Sequence, residues 1–264
     1  MLMHPTIENL HTLRLNGMIR GLTDQQEMPG CEDLPFMDRF GLLVDREITE
    51  RQNARLERRL KSARLRQDAS IEDIDFRHPR GLDRSLLLSM ASCQWIKSRD
   101  NCAITGPTGV GKSFLACALA QKACREGYRV YYARTARLLQ ELAAARADGT
   151  HARRLSALAR TDLLVLDDWA MAPLNDAQRR DLFEILDDRY DKHSTLVAAQ
   201  VPIEQWYESI GDPTLADAML DRLVHNAHKF CLKGESMRKQ RAKAGATIDQ
   251  AAANAQQNEK GDKT

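Results

Sequence analysis

One glycine-rich segment constrains this chain more than any other feature. Residues 106–113 read Gly-Pro-Thr-Gly-Val-Gly-Lys-Ser and match the pattern GxxxxGK[ST] without a mismatch. The glycines let successive backbone N–H groups turn toward an anion, and a following helix adds its positive N-terminal end. Lys112 can then reach the β- and γ-phosphates, and the Ser113 hydroxyl can coordinate Mg²⁺. The segment therefore predicts a loop that holds a nucleoside triphosphate with its magnesium ion.

The predicted nucleotide contacts extend from this loop into the first turn of the helix. They are Gly106, Pro107, Thr108, Gly109, Val110, Gly111, Lys112, Ser113 and Phe114.

An aliphatic run that ends in two aspartates supplies the predicted second half of the site. Residues 163–166 are Leu-Leu-Val-Leu, which is typical of a strand buried on both faces, and Asp167 and Asp168 follow directly. We expect Asp167 to hold the metal through water and Asp168 to polarise the attacking water. Taken alone, such a run is also compatible with a strand that ends in a polar turn.

Strand and helix patterns alternate through the middle of the chain and predict an α/β fold with a parallel sheet and right-handed crossovers. Helices are expected between the strands, at 83–97, 112–126, 135–147, 151–159, 176–190 and 215–223. The five predicted strands are 101–105, 128–133, 163–166, 195–199 and 229–232.

Composition divides the chain into three predicted regions: a helical N-terminal domain at 1–70, the nucleotide-binding domain at 71–242 and a disordered tail at 243–264. Within the first region, 46–67 carries eight basic and three acidic residues along a helical pattern. That face is either ordinary solvated surface or a binding surface for a polyanion. The candidate DNA contacts, including two arginines of a later basic helix, are Arg55, Arg58, Arg59, Lys61, Arg64, Arg153 and Arg154.

The hydrophobic and charged fractions are those of a globular chain, and its basic residues are clustered locally. Of the 264 residues 43% are hydrophobic and 29% charged, while the net charge is only +2, so any nucleic-acid surface must come from local clustering. The N-terminus lacks the pattern of a signal peptide, and no apolar stretch approaches the ~18 residues that span a membrane. We expect a cytosolic protein.

Three polar residues late in the chain are further candidates for the catalytic site. Gln200 ends a predicted strand and can touch the γ-phosphate and the attacking water; otherwise it is a turn or capping residue. Arg222 can serve as an arginine finger in a neighbouring subunit's site, or it belongs to a surface Asp–Arg pair. Arg238 can contact the γ-phosphate within its own subunit, or it is a solvated surface residue.

Over nearly its whole length except the tail, the chain resembles the IstB-type transposition helpers, which are AAA+ ATPases of the DnaA/DnaC clade. The matching segments include Leu42-Leu-Val-Asp45, Ile104 to Ala120, Leu166-Asp-Asp-Trp169, Ala177-Gln-Arg-Arg-Asp181, Gly211 to Asp217, Asp221 to His228 and Lys233-Gly-Glu-Ser-Met-Arg238. Two departures stand out. Ala198-Ala199 replaces small hydroxyl residues, and Ala170 replaces a frequent glycine.

The resemblance implies an AAA+ core with a five-stranded parallel sheet between helices, a small all-α N-terminal domain and no C-terminal lid domain. It carries over Asp167 as the metal-site aspartate, Asp168 as the catalytic acidic residue and Gln200 as sensor one. Arg222 carries over as the finger and Arg238 as sensor two.

By the same resemblance we expect ATP and Mg²⁺ as cofactors, and homo-oligomers with ATP sites between subunits. The other implied partners are duplex DNA, bound with little sequence preference, and an IstA-type transposase recruited or activated at the target. Such a protein works in the bacterial cytoplasm and associates with the nucleoid when on DNA. The alternatives are a DnaC-like replicative helicase loader and, from another class, a small-molecule P-loop kinase.

Overall fold

A computed structural model of the chain describes residues 5–237. The chain divides between Lys61 and Ser62 into two compact units. The first contains α1 (Pro5–Thr12), α2 (Asn16–Glu27) and most of α3 (Phe36–Ala63). Pro29, Gly30 and Pro35 separate α2 from α3. The predicted tail at 243–264 lies outside the described residues.

Two glycines allow α2 to pack closely on α3. A Cβ at Gly17 would lie 2.6 Å from the Cα of Glu47, and a Cβ at Gly21 would lie 2.9 Å from a methyl group of Leu43. The Glu47 carboxylate accepts hydrogen bonds from the backbone N–H groups of Gly17 at 2.7 Å and Met18 at 3.2 Å. Glu47 therefore satisfies free donors at the N-terminus of α2.

The second unit is an α/β domain whose strands carry helices between them. Its strands are β1 (Asn101–Thr105), β2 (Val130–Arg134), β3 (Leu163–Trp169), β4 (Ser194–Ala199) and β5 (Ala227–Cys231). Its helices are α4 (Arg84–Ala91), α5 (Gln94–Lys97), α6 (Lys112–Arg125), α7 (Thr135–Ala147), α8 (His151–Ala159), α9 (Asp176–Arg189), α10 (Trp206–Ile210) and α11 (Pro213–Val224).

All neighbouring strands pair in parallel, in the order β2-β3-β4-β1-β5, which confirms the predicted five-stranded sheet. The central strands β1, β3 and β4 are buried almost throughout, and their aliphatic residues pack against the surrounding helices. Because the strands are parallel, their carboxyl ends meet at one edge, where ligands bind in folds of this kind.

The helix predicted at 83–97 is wrong in one respect. The structure has α4 and α5 there, and Cys93 between them has a left-handed backbone with φ of 58°. Asp83 does cap α4, since its carboxylate accepts a hydrogen bond from the Leu86 N–H at 3.0 Å. Neither α10 nor the last three residues of β3 are among the predicted elements. Within residues 5–237 no helix is long and apolar enough to cross a membrane.

Candidate nucleotide-binding site

The glycine-rich loop connects β1 to α6 at the carboxyl edge of the sheet, and two of its glycines cannot be replaced without strain. Gly106 has φ of 146° and Gly109 has φ of 89°. A Cβ at Gly106 would lie 2.3 Å from the Leu232 carbonyl oxygen, and one at Gly109 would lie 2.1 Å from the Ser236 hydroxyl. The Met237 N–H also donates to the Gly109 carbonyl at 3.0 Å. The segment after β5 thus packs directly on the loop.

Lys112, the first residue of α6, folds its side chain back over the loop. Its ammonium donates hydrogen bonds to the carbonyl oxygens of Gly106 at 2.7 Å and Pro107 at 2.8 Å, and the residue is 8% exposed. Ser113 follows at the same helix end. The ammonium therefore lies at the loop that the sequence assigns to the phosphates.

A β-bulge places the two aspartates at the end of β3. Leu166 pairs with Val197 of β4, but Trp169 pairs with Ala199, so β3 advances three residues where β4 advances two. Asp168 has φ of 56° at this point. Asp167 is 1% exposed, whereas the Asp168 side chain is about one-third exposed and lines the cavity beside the loop. The bulge thus gives the two carboxylates different environments, as bulges near functional sites often do.

Three side chains from other segments contact this acidic pair. The Tyr132 hydroxyl donates to Asp167 Oδ2 at 2.5 Å. Arg66 Nη1 lies 3.6 Å from the same oxygen and 3.7 Å from Asp168 Oδ2, and Arg134 Nε lies 3.7 Å from Asp168 Oδ2. Burial and the neighbouring Asp167 raise the pKa of Tyr132, which keeps this hydroxyl protonated as a donor.

Gln200 follows β4, the strand that lies between β1 with its loop and β3 with its aspartates. The Thr108 hydroxyl donates to Gln200 Oε1 at 2.7 Å. The hydrogen bond places the amide beside the phosphate loop, within the same cavity as Asp168.

Arg80 supports the loop through a hydrogen bond to its backbone. Its Nη1 donates to the Val110 carbonyl at 3.1 Å, and its Nη2 donates to the Asp75 carbonyl at 3.2 Å. The residue is only 3% exposed, and this burial lowers the pKa of Arg80 from its ordinary value. Because a Cβ at residue 111 would lie 2.5 Å from Arg80 Nη1, Gly111 is required for this contact.

Together these segments enclose a cavity of about 330 Å³. It lies within the size range of small-molecule sites. Cationic Lys112 and Arg134 face it alongside Asp168, and Ser113 adds a hydroxyl. The cations suit a triphosphate, while hydroxyl and carboxylate oxygens are the ligands that Mg²⁺ prefers. The donor set therefore fits ATP with magnesium.

Arg222, the predicted finger, lies away from this cavity. The Arg222 guanidinium pairs with Asp187 Oδ1 at 2.6 Å and lies over the rings of Phe183 and Tyr190, with centroid distances of 5.1 and 5.8 Å. Its carbonyl accepts a hydrogen bond from Asn101, the first residue of β1, whereas the loop follows the last residue of that strand. Arg238 lies outside the described residues.

Several candidate DNA contacts already have partners within the chain. Arg58 Nε donates to the Ala54 carbonyl at 3.1 Å, Arg64 lies over the Tyr131 ring at 5.7 Å, and Arg154 pairs with Glu141 at 3.1 Å. Arg55, Arg58 and Lys61 are exposed on α3, and Arg153 on α8.

Sequence reasoning missed Arg66, Arg80, Tyr132 and Arg134 as members of the site. Arg66 precedes Asp167 by about a hundred residues, and no local pattern joins them. A signal existed for Arg134, because it follows a predicted strand as Asp167 does, and parallel strands end at one edge.

A phosphate loop after β1, an acidic pair at the end of β3 and the strand order β2-β3-β4-β1-β5 define a P-loop ATP-binding domain of the AAA+ type. The fold is similar to the crystal structure of DnaI, with a TM-score of 0.54 and 21% identity over 64% of this chain and 92% of that one. It is also similar to domain III of the Thermotoga maritima replication initiation protein DnaA, with a TM-score of 0.51 and 19% identity over 70% of this chain and 76% of that one.

Sequence comparison assigns the family. The model of the IstB-like ATP-binding proteins matches residues 8–245, and the chain belongs to this family. An insertion sequence ATP-binding protein, y4pL, from Sinorhizobium fredii (strain NBRC 101917 / NGR234) is 49% identical over 90% of this chain and 98% of its own length. The corresponding ATP-binding protein of insertion sequence IS21 from Pseudomonas aeruginosa is 32% identical over 92% of each chain.

Proposed function

We propose that this protein is an ATP-hydrolysing helper of an insertion-sequence transposase. One observation carries the proposal: a single cavity joins the phosphate loop, Asp168 and Gln200, in a chain whose relatives are named insertion sequence ATP-binding proteins. Those names favour transposition over helicase loading, because the likeness to DnaI shows the fold alone.

In this proposal the residues of the cavity divide the chemistry of phosphoryl transfer. Lys112 contacts the β- and γ-phosphates, and Ser113 and Asp167 would hold Mg²⁺. When bound, the ion would supply positive charge against the phosphates. Asp168 accepts a hydrogen bond from the attacking water, and Gln200 orients that water against the γ-phosphate. Arg238 adds a positive charge within the same subunit.

Arg222 is proposed to act in a neighbouring subunit. Its backbone is bound to Asn101 at the amino end of β1, and four residues of extended strand, roughly 13 Å, separate that point from the loop. This placement favours a finger that reaches another copy's γ-phosphate over one that acts in its own site. The phosphate would then replace Asp187 as the anionic partner of the guanidinium.

The basic arginines of α3 and α8 are proposed to bind duplex DNA through its phosphates. We propose that ATP-dependent oligomers form on the duplex, select or remodel the target and recruit an IstA-type transposase. The cheapest check is genomic. A transposase gene should lie immediately upstream, and the transposase should co-purify with the ATP- and DNA-bound protein but not with DNA alone.

Two variants separate nucleotide binding from hydrolysis. Lys112→Ala should lose ATP binding and ATP-dependent assembly, because it removes the point charge on the β- and γ-phosphates. Asp168→Asn should bind ATP but lose turnover by roughly two to four orders of magnitude, the range typical of a missing general base. Calorimetry measures binding, and phosphate release measures turnover. Normal ATP affinity in Lys112→Ala, or parental turnover in Asp168→Asn, would contradict these roles.

DNA binding should depend steeply on salt and weakly on sequence. Replacing Arg58, Arg59 and Arg64 by Ala should flatten the slope of log K against log salt by roughly 0.9 for each phosphate that is no longer neutralised. A matched control with alanine at Arg84, Arg125 and Arg129 removes the same net charge from other surfaces and should retain the parental slope. If only the control variant flattens the slope of log K against log salt, DNA does not bind at Arg58, Arg59 and Arg64. If neither variant changes the slope, DNA binding is assigned to residues 151–160.

A further inference from the structure

We propose that Arg66 controls metal binding at the nucleotide site, since its guanidinium lies beside Asp167 and Asp168 and competes with the magnesium ion for the Asp167 carboxylate. The inference rests on the proposed function and adds to it a regulating residue from outside the sheet. It starts from a geometric fact: one nitrogen, Nη1, lies within 3.6 Å of Asp167 Oδ2 and 3.7 Å of Asp168 Oδ2.

Arg66 is better placed than Arg134 to neutralise the acidic pair. Arg66 bridges both aspartates, whereas Arg134 pairs with Asp168, and the Arg134 side chain is 49% exposed, against 32% for Arg66. Asp167 is buried, so the charge of its carboxylate is poorly screened by water and attracts a nearby cation more strongly. Arg66 therefore neutralises the Asp167 and Asp168 carboxylates at the position where a metal ion would otherwise neutralise them.

The oxygens of Asp167 leave little room for sharing. Oδ1 accepts the Asp168 N–H at 2.9 Å, and Oδ2 accepts the Tyr132 hydroxyl. Arg66 adds a third contact, at Oδ2. A metal ion bound through water at the same carboxylate needs a free lone pair and meets electrostatic repulsion from a guanidinium beside it. Metal binding and the Arg66 contact therefore oppose each other.

Arg66 can leave, because its own side chain is not packed in the core. It is about one-third exposed, lines the same cavity as Lys112 and Arg134, and belongs to the connector between α3 and α4 rather than to a helix or strand. Once displaced, the guanidinium remains at the cavity that we assign to the triphosphate. The competition therefore concerns the metal and does not remove positive charge from the phosphate site.

The test measures Mn²⁺ binding to the full chain without nucleotide, by electron paramagnetic resonance. Arg66→Met should bind Mn²⁺ about three- to tenfold more tightly than the parent, because an ion pair with a buried carboxylate exceeds the small contribution of fully exposed pairs. Arg66→Lys keeps the charge and should stay close to the parent. Arg125→Met, which removes a surface arginine paired with Glu72, should have no effect.

A double variant identifies the site. Adding Asp167→Asn to Arg66→Met should abolish the gain in Mn²⁺ affinity. Equal or weaker Mn²⁺ binding in Arg66→Met, or an equal gain in Arg66→Lys, would overturn the proposal. If Arg66→Met does not fold, the parent chain provides the test. The NMR signal of Arg66 Nε, assigned by its absence in Arg66→Lys, should shift as Mg²⁺ saturates the site. A signal that does not move would overturn the proposal.

Failure of the proposed function would look different. A parent chain that binds no ATP with Mg²⁺ would contradict the ATPase assignment, whereas the Mn²⁺ comparison uses no nucleotide and reports on Arg66 alone.

Discussion

At the residue scale, Ala170 shows the strain that accompanies the end of β3. Its φ of 56° lies in the left-handed region, which costs a residue with a Cβ roughly 1–2 kcal/mol. Glycine has no Cβ and adopts this conformation without that cost. Asp168 has the same φ of 56°, but aspartate tolerates this conformation better than alanine.

Ala170→Gly should therefore stabilise the protein by about 0.5–1 kcal/mol, since relief of strain exceeds the greater freedom of glycine in the unfolded chain. Urea unfolding measures the change. Ala157→Gly, on the exposed face of α8, is the control and should destabilise by about 1 kcal/mol. A loss of stability in both variants would mean that Ala170 is not strained.

At the scale of elements, Glu47 joins α3 to the N-terminus of α2. Its other oxygen, Oε1, accepts a hydrogen bond from Arg51 Nε at 2.6 Å. Burial raises the pKa of Glu47, but the hydrogen bonds from Arg51 and from the α2 backbone outweigh it, so the pKa lies below its ordinary value of 4.5. A lowered folded pKa gives stability that is present above the unfolded pKa and is lost as the pH falls through the folded pKa.

Glu47→Gln should thus destabilise the α2–α3 pair by roughly 1–2 kcal/mol at neutral pH, as expected when a helix cap is removed. It should also remove part of the acid sensitivity below about pH 4.5. Hydrogen exchange at the Gly17 and Met18 amides of the full chain measures both effects. The control, Glu50→Gln, breaks only the exposed ion pair with Arg20 and should change hydrogen exchange little. Similar effects in the two variants would show that Glu47 does not stabilise the N-terminus of α2.

At the scale of the whole molecule, the proposed finger makes turnover a property of the oligomer. Such a residue contributes on the order of 10³–10⁵ in rate in related phosphoryl-transfer systems. Hydrolysis should rise faster than linearly with protein concentration, and DNA should lower the threshold by aligning subunits. Phosphate release across a dilution series, with and without duplex DNA, measures this, and strictly linear scaling would contradict shared sites.

Mixing two inactive variants tests the same idea directly. Arg222→Ala lacks the finger, and Asp168→Asn binds ATP and retains its finger but lacks turnover. Mixed oligomers, first demonstrated by cross-linking, should regain partial turnover because some sites contain both residues. Co-assembly without recovered turnover at any mixing ratio would assign Arg222 to its surface ion pair with Asp187.

The sequence by itself determined the phosphate loop and most elements of the nucleotide-binding domain, though not the break between α4 and α5 or the short helix α10. The helices at 135–147 and 151–159 have the predicted bounds, and the strand at 101–105 ends where the loop begins. These features depend on residues close together in the chain, namely glycine spacing, aliphatic runs and helix caps, so local physics is enough. The resemblance to IstB-type helpers was likewise evident from motifs and is confirmed by the family match.

Only the tertiary structure decided which distant side chains share the site. The bulge at Asp167 and Asp168 arises because three residues of β3 lie opposite two residues of β4. No residue within β3 predicts this difference in number. Arg66 meets the acidic pair because the connector after α3 passes the end of β3, about a hundred residues later in the sequence. The physical reason is the same in both cases: strand register and the path of a connector depend on packing between distant segments, which a one-dimensional pattern does not record.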